Sequence, residues 1–255
     1  MGLFDFLKNK KNADEISESK EAETKKENIA YCIPYSDGRE YIGEVGYEDG
    51  SDIPKPNGKG RMKWPNGNIY EGDFKNGEPN GIVKITYSHG DTYEGEMKDG
   101  VKCGNGIYIW ANGVKYEGEY ENDIRQGYGT LSLPDGTVLS GNWNNAYLDG
   151  FGREIRSDGY QFQGEFSRGK KVEGIEIIPN DLRYEGEFLN ERPHGYGQTR
   201  LANGCIHEGQ YLDGQFNGMG CFITPDGVKH IGIFKDGYLI QEYQDIEYEF
   251  KYPIN

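Results

Sequence analysis

Aliphatic side chains are scarce in this chain. Only 35% of its 255 residues are hydrophobic, which argues against a thick core of aliphatic side chains packed on each other. No apolar run approaches the roughly 20 residues that a membrane-spanning helix needs. The first residues lack the apolar core of about 7–15 residues found in a secretory signal, so the expected address is cytoplasmic. The four cysteines, Cys32, Cys103, Cys205 and Cys221, form no Cys-x-x-Cys pair and have no histidine at zinc spacing. Reduced thiols and no metal site are expected. Positive charge is also in deficit, with 28 Lys+Arg against 43 Asp+Glu and a net charge of −15. Residues 1–28 hold six lysines and seven acids, so residues 29–255 carry −14 of that total. Such a surface repels phosphate backbones and excludes nucleic acid as the expected partner. It also weakens attraction to anionic lipid along the body of the chain.

What the chain has in abundance is 39 glycines, 20 tyrosines and 11 phenylalanines. They are not scattered. Tyr70-Glu71-Gly72-Asp73-Phe74, Tyr93-Glu94-Gly95-Glu96-Met97 and Tyr116-Glu117-Gly118-Glu119-Tyr120 share one pattern, a ring two residues before a glycine and a large apolar residue two after it. Looser copies run from Leu139 to Trp143, Phe162 to Phe166, Tyr184 to Phe188, His207 to Tyr211 and His230 to Phe234, with a degenerate first copy at Tyr41 to Val45. The central glycines Gly43, Gly72, Gly95, Gly118, Gly141, Gly164, Gly186, Gly209 and Gly232 are spaced by 29, 23, 23, 23, 23, 22, 23 and 23 residues. A fixed period of this size marks a tandem array.

Two further signals run in phase. Asn-Gly or Asp-Gly pairs such as Asn66-Gly67, Asn112-Gly113 and Asp135-Gly136 precede most central glycines by five residues. They predict two-residue hairpin turns with both residues at positive φ. Gly-x-Gly opens the other half of most units, as in Gly104/Gly106, Gly127/Gly129 and Gly195/Gly197; at Gly81 and Gly174 the second glycine is expected to be the one lost. Each unit therefore reads as one β-hairpin. Strand alternation puts Tyr70, Gly72 and Phe74 on one face and Glu71 and Asp73 on the other. The glycine lets a neighbouring ring lie on bare backbone, and stacking stabilises hairpins that are marginal alone.

This pattern resembles the MORN repeat family, whose units look like Tyr-Glu-Gly-Glu-Phe/Trp, a polar turn, Gly-x-Gly and a Pro-Asn/Asp-Gly turn. Trp64-Pro65-Asn66-Gly67, Leu133-Pro134-Asp135-Gly136 and Thr224-Pro225-Asp226-Gly227 match the last element. The resemblance covers roughly residues 35–237. It implies an all-β fold, an elongated single-layer antiparallel meander of tandem hairpins used for protein contacts, scaffolding and sometimes membrane association. It implies no chemistry. Family members with activity carry a separate enzyme domain, for which this chain has no room.

The expected organisation is an amphipathic helix and charged linker over 1–28, the repeat array over 29–237 and a capping strand or strands over 238–255. At 100° per residue Leu3, Phe4, Phe6 and Leu7 share one helical face, which could dock on the array, rest on a membrane surface or fray. Near the other end Ile246, Tyr248, Phe250 and Tyr252 alternate with Glu247, Glu249 and Lys251, the pattern of a half-buried strand. A catalytic constellation is not expected. His207 and His230 replace rings of the repeat, while the paired carboxylates are copies of one motif rather than an acid and a base set apart. The expected function is a non-catalytic scaffold without cofactor, binding a protein. Exposed members of the aromatic columns, Tyr70, Tyr93, Tyr116, Phe162 and Tyr184, are the candidate contact residues. Glu71, Glu94, Glu117 and Glu185 are the candidates for steering a basic partner. The rival expectations are a peripheral membrane protein anchored through residues 1–12 and an inhibitor or immunity-type protein that neutralises a basic target.

Overall fold

The computed structural model describes residues 30–244 and 246–253. The candidate amphipathic helix with Leu3, Phe4, Phe6 and Leu7, and the charged linker up to residue 28, lie outside the described residues. Nineteen strands, from Tyr31–Pro34 to Tyr238–Tyr243, build one antiparallel sheet. Each strand pairs with the next along the chain, and no ladder joins the first strand to the last. The fold is thus the expected open single-layer meander. In the central units a seven-residue strand bearing the ring-and-glycine motif, such as Lys115–Glu121, alternates with a nine-residue strand bearing Gly-x-Gly, such as Ile124–Ser132.

The two kinds of connection differ from the expected turn chemistry. Across Trp64–Asn68 the amide of Gly67 donates to the Trp64 carbonyl, the Asn68 amide donates to the Asn66 side chain at 3.0 Å, and the Asn68 carbonyl accepts the Trp64 amide at 2.9 Å. Here only Gly67 has positive φ, at 87°. This is a three-residue loop with glycine in the left-handed position, and Asn66 serves as a side-chain acceptor rather than a second left-handed residue. The true two-residue turns are the other connections, such as Asn76-Gly77 with φ of 51° and 94°, flanked by the pair Lys75↔Glu78.

The ring face buries itself. Tyr41, Tyr93, Tyr116, Phe162 and Tyr184 are fully buried although the sheet has one layer. A flat layer cannot hide its own face, so the twisted sheet must curl around it, as the right-handed twist of strands permits. Inside, the rings interlock edge to face. Tyr93 meets Tyr120 at 5.6 Å, Tyr120 meets Tyr116 at 5.4 Å and Tyr116 meets Trp143 at 5.3 Å. A second run links Phe162, Phe188, Tyr184, Tyr211, His207 and Phe234 at 4.8–5.3 Å. Each such contact adds about 0.5–1.5 kcal/mol beyond area burial.

The glycines explain how the rings get in. Gly118 and Gly129 face each other across the ladder, as do Gly95 and Gly106. A Cβ on Gly106 would lie 2.5 Å from the Tyr93 ring. The ring of one strand therefore rests on the second glycine of the next Gly-x-Gly, and its hydroxyl donates to the carbonyl three residues on, as Tyr93 does to Glu96 at 2.8 Å. The exception proves informative. Val83 stands opposite Gly72 where a glycine is usual, and is itself fully buried. Tyr70 is correspondingly only half-buried and leans on Trp64 at 5.8 Å. Gly174 pairs with Gly164, so it is the second glycine of its unit; the missing first one is Val172, opposite to the sequence expectation.

His207 occupies a ring position with 1% exposure and stacks on Phe216 at 3.7 Å. Burial pushes its pKa down to about 3. The folded state thus resists a proton that the unfolded state takes up below about pH 6.5, so the neutral-pH stability is lost as pH falls from there towards 3. Between pH 7 and 5 the wild type should lose about 2 kcal/mol more than a His207→Phe variant. Urea unfolding at both pH values reads that difference, and equal losses would contradict the buried neutral imidazole.

Candidate interaction surface

Opposite the rings lies the outer face. Glu71 and Glu117 are exposed there, Glu94 and Glu185 partly so. Cations stand among them. Arg61 approaches Glu71 at 3.2 Å, Lys115 approaches Glu117 at 2.7 Å and Arg183 approaches Glu185 at 2.7 Å. Lys84 lies in register between Glu71 and Glu94. Exposed pairs of this kind contribute little to stability, about 0–1 kcal/mol each. The four glutamates are therefore available to a partner's charge.

The second acid of most motifs has a different task, which repeat counting did not reveal. Asp73 accepts the amide of Ile82 at 3.1 Å, Glu96 that of Asn105 at 2.9 Å, Glu119 that of Tyr128 at 3.0 Å and Glu187 that of Tyr196 at 3.2 Å. The ladders shift register at these points, as between Gly118 and Tyr120. Such a bulge strands an amide, and the side chain supplies the missing acceptor. Gln210 does the same for Met219 at 3.0 Å, so an acceptor suffices and charge is not needed. That neutral acceptor at a repeat position was the signal in the sequence.

A buried charged cluster sits on the ring side. Lys171 has 3% side-chain exposure and lies 3.3 Å from Glu154 and 3.7 Å from Glu176. Tyr160 donates to Glu176 at 2.5 Å, Lys171 donates to Tyr160, and Arg156 holds Glu154 at 2.6 Å. The ammonium also lies 5.0 Å from the centre of the Phe162 ring, a favourable cation–π placement. Every charge here has a partner, so the cluster reads as packing.

The C-terminal segment does not behave as one long capping strand. Tyr238–Tyr243 pairs with Lys229–Lys235 as the sheet edge, but residues 246–253 are not strand. They cross the outer face over Glu208, whose carboxylate they cover completely. That carboxylate accepts the Lys251 amide at 2.5 Å and the Tyr252 amide at 3.4 Å, together with the Tyr196 hydroxyl at 2.8 Å and the Gln198 amide group at 2.7 Å. Tyr252 stacks over Tyr196 with centroids 6.3 Å apart, while Tyr248 bonds the Tyr196 hydroxyl at 2.9 Å. The alternation of Ile246 to Tyr252 came from docking onto this buried acid rather than from ladder pairing.

The five candidate rings need correction as contact residues. Tyr93, Tyr116, Phe162 and Tyr184 are buried in the ladder and Tyr70 is half-buried against Trp64. They hold the array together and present little to a partner. Rings that do stand free on the outer face include Tyr128, 61% exposed, and Phe151, 53% exposed. Both sit between the glycines of Gly-x-Gly, where alternation places them opposite the ladder. Among the described residues no group of three or more His, Cys, Asp or Glu could hold a metal ion, and no helix is long and apolar enough to cross a membrane. Cys205 and Cys221 are buried free thiols, and burial pushes the Cys221 thiol up to about 11.

Two solved domains match this chain along most of their length, each with a TM-score below one half. The TCP10 domain of Danio rerio CPAP matches at 12% identity over 84% of this chain and 99% of that one, with a TM-score of 0.46. The TCP domain of Drosophila melanogaster SAS-4, solved with a proline-rich motif of Ana2, matches at 15% identity over 87% and 99%, with a TM-score of 0.29. A search of curated proteins finds no match. The family model for the MORN repeat, by contrast, matches eight successive segments, 55–69, 70–91, 93–115, 116–138, 140–159, 162–183, 184–206 and 207–229. Those segments cover most of the array with its ring-on-glycine hairpins, and the chain belongs to the MORN repeat family.

Proposed function

We propose that this array is a non-catalytic scaffold that receives a protein partner on its outer face, with Glu71, Glu94, Glu117 and Glu185 drawing in a basic one. The observation that carries the reading is the division of labour between the two faces. The ring face is consumed by its own ladder, while the outer face keeps glutamates that no structural duty occupies. Charge of this kind acts mainly on encounter, through long-range attraction that salt screens.

A photo-crosslinking amino acid placed at Glu117, and separately at the turn residue Asn76, tests the reading in the source cell. Adducts should form from position 117 and be scarce from position 76. Replacing Glu71, Glu94 and Glu185 together with Gln should cut the adduct yield from position 117 several-fold at low salt. Adducts confined to the turn position would move the interaction to the edges of the sheet.

A further inference from the structure

The chain's own tail shows what the outer face can hold. Tyr196 occupies the middle of Gly195-Tyr196-Gly197, and the tail covers it. Tyr252 stacks on its ring, Tyr248 bonds its hydroxyl, and the Lys251 ammonium lies 5.7 Å from the ring centre and 5.3 Å from that of Tyr252. A lysine flanked by aromatic rings is thus seated on an acidic, ring-bearing strand pair, its backbone amides read by Glu208.

Tyr128 and Phe151 are the same position in earlier units, Gly127-Tyr128-Gly129 and Gly150-Phe151-Gly152. Nothing among the described residues covers them. They lie in one transverse row with the covered position. Tyr128 is opposite Asn142, Phe151 opposite Glu165, Glu165 opposite Glu173 and Glu173 opposite Glu187, which bonds the amide of Tyr196. A concavity of about 280 Å³ begins at Phe151, one unit beyond Tyr128, and is lined by Phe151, Glu165, Glu173, Ile175, Glu185 and Tyr252. The open concavity is therefore continuous with the seat of the tail and shares its exposed ring; Gln163 and Ser140 stand where Glu208 stands in the seat, and the acids here are Glu165 and Glu173 of the neighbouring row.

Building on the outer-face reading above, we propose that the groove from Tyr128 through Phe151 to the docked tail binds an extended segment of a partner protein that carries a lysine flanked by aromatic residues. The partner's ring stacks on Phe151 or Tyr128 as Tyr252 does on Tyr196. Its lysine is met by Glu165 and Glu173, with Glu185 beside them already paired to Arg183 at 2.7 Å. Rings held on a sheet lose little freedom on binding, which suits them as anchors.

The probe is a fluorescent synthetic peptide, Glu-Tyr-Glu-Phe-Lys-Tyr-Pro, matching the tail and added to the full chain, whose own tail still covers Tyr196. Saturable binding is expected in fluorescence anisotropy. Phe151→Ser should weaken it by at least about five-fold, as loss of an anchoring ring does, and Tyr128→Ser by a similar factor. Exchanging the peptide's lysine for glutamate should weaken it comparably, and Ile53→Ser, an exposed apolar change elsewhere, should leave it unchanged. Circular dichroism of each variant checks that these surface changes leave the sheet intact. Absence of saturable binding, or equal binding by wild type and Phe151→Ser, overturns the groove. A concentration-dependent dimer of the chain that Phe151→Ser abolishes also overturns it, since the occupant would then be a second copy. If the peptide fails while position 117 still crosslinks in cells, the groove is wrong and the outer-face scaffold stands.

Discussion

Gly118→Val should destabilise the array by about 3 kcal/mol, the upper range for forcing bulk into a closed site. A Cβ at this position would come within 2.5 Å of the Gly129 Cα, and within 2.7 Å of both the Tyr128 carbonyl oxygen and the Tyr116 hydroxyl. Two of these three obstacles are backbone. The ladder between Lys115–Glu121 and Ile124–Ser132 would have to open, and the Tyr116 ring would lose its contacts with Tyr120 and Trp143. Glu117→Val, one residue earlier and on the exposed outer face, should change stability by no more than about 0.5 kcal/mol. Urea unfolding of the two variants separates the cases. Similar midpoints for both would show that the facing glycines tolerate bulk and that close backbone approach is not what selects them.

The second large effect is expected at Lys171→Met. The substitution keeps the length and apolar stem of the side chain but removes the ammonium between Glu154 and Glu176. Glu154 retains Arg156 at 2.6 Å, whereas Glu176 keeps only the Tyr160 hydroxyl. Stranding a buried carboxylate in this way costs about 3–5 kcal/mol. Lys171→Met/Glu176→Gln should regain most of the loss, because the amide still accepts from Tyr160 without carrying charge. Chemical denaturation at neutral pH measures both variants. A double variant as unstable as the single one would mean that Lys171 acts through its contact with the Phe162 ring instead.

The architecture was legible because its causes are local and repeated. One period, one ring and one glycine per strand prescribe hairpins, and hairpins at a fixed period prescribe the meander. What was not legible depends on how strands sit in three dimensions. Alternation assigns Tyr93 and Glu94 to opposite faces, but it cannot tell that a single layer will curl enough to bury Tyr93 completely. Hence the rings of the motif read as contact residues, while Tyr128 and Phe151, hidden in the variable position of Gly-x-Gly, passed unnoticed. Asn-Gly is compatible with both hairpin geometries, so the pair alone did not distinguish the loop at Gly67 from the turn at Asn76. Glu154 and Glu176 lie two residues after Gly152 and Gly174, at positions that face the ladder; aligning Gly174 as a first glycine obscured the equivalence. Glu208 is a repeat acid like Glu117, and only the path of the tail, set more than thirty residues later, makes it a buried anchor.

Val83 has a consequence for how the molecule comes apart. Where that side chain replaces glycine, Tyr70 is only half-buried, and the buried apolar residues fall into two groups, Tyr41 with Met62 and Phe74 on one side and the long run from Val83 to Tyr211 on the other. In a linear array each unit is supported only by its neighbours. A weaker junction therefore divides the chain into two blocks, joined by a continuous ladder of backbone bonds and by half-buried Tyr70, which packs against both groups. The first block is short and borders the open edge of the sheet, so it is the part that opens first in local fluctuations. The long block, which carries the outer-face groove, keeps its shape through such openings.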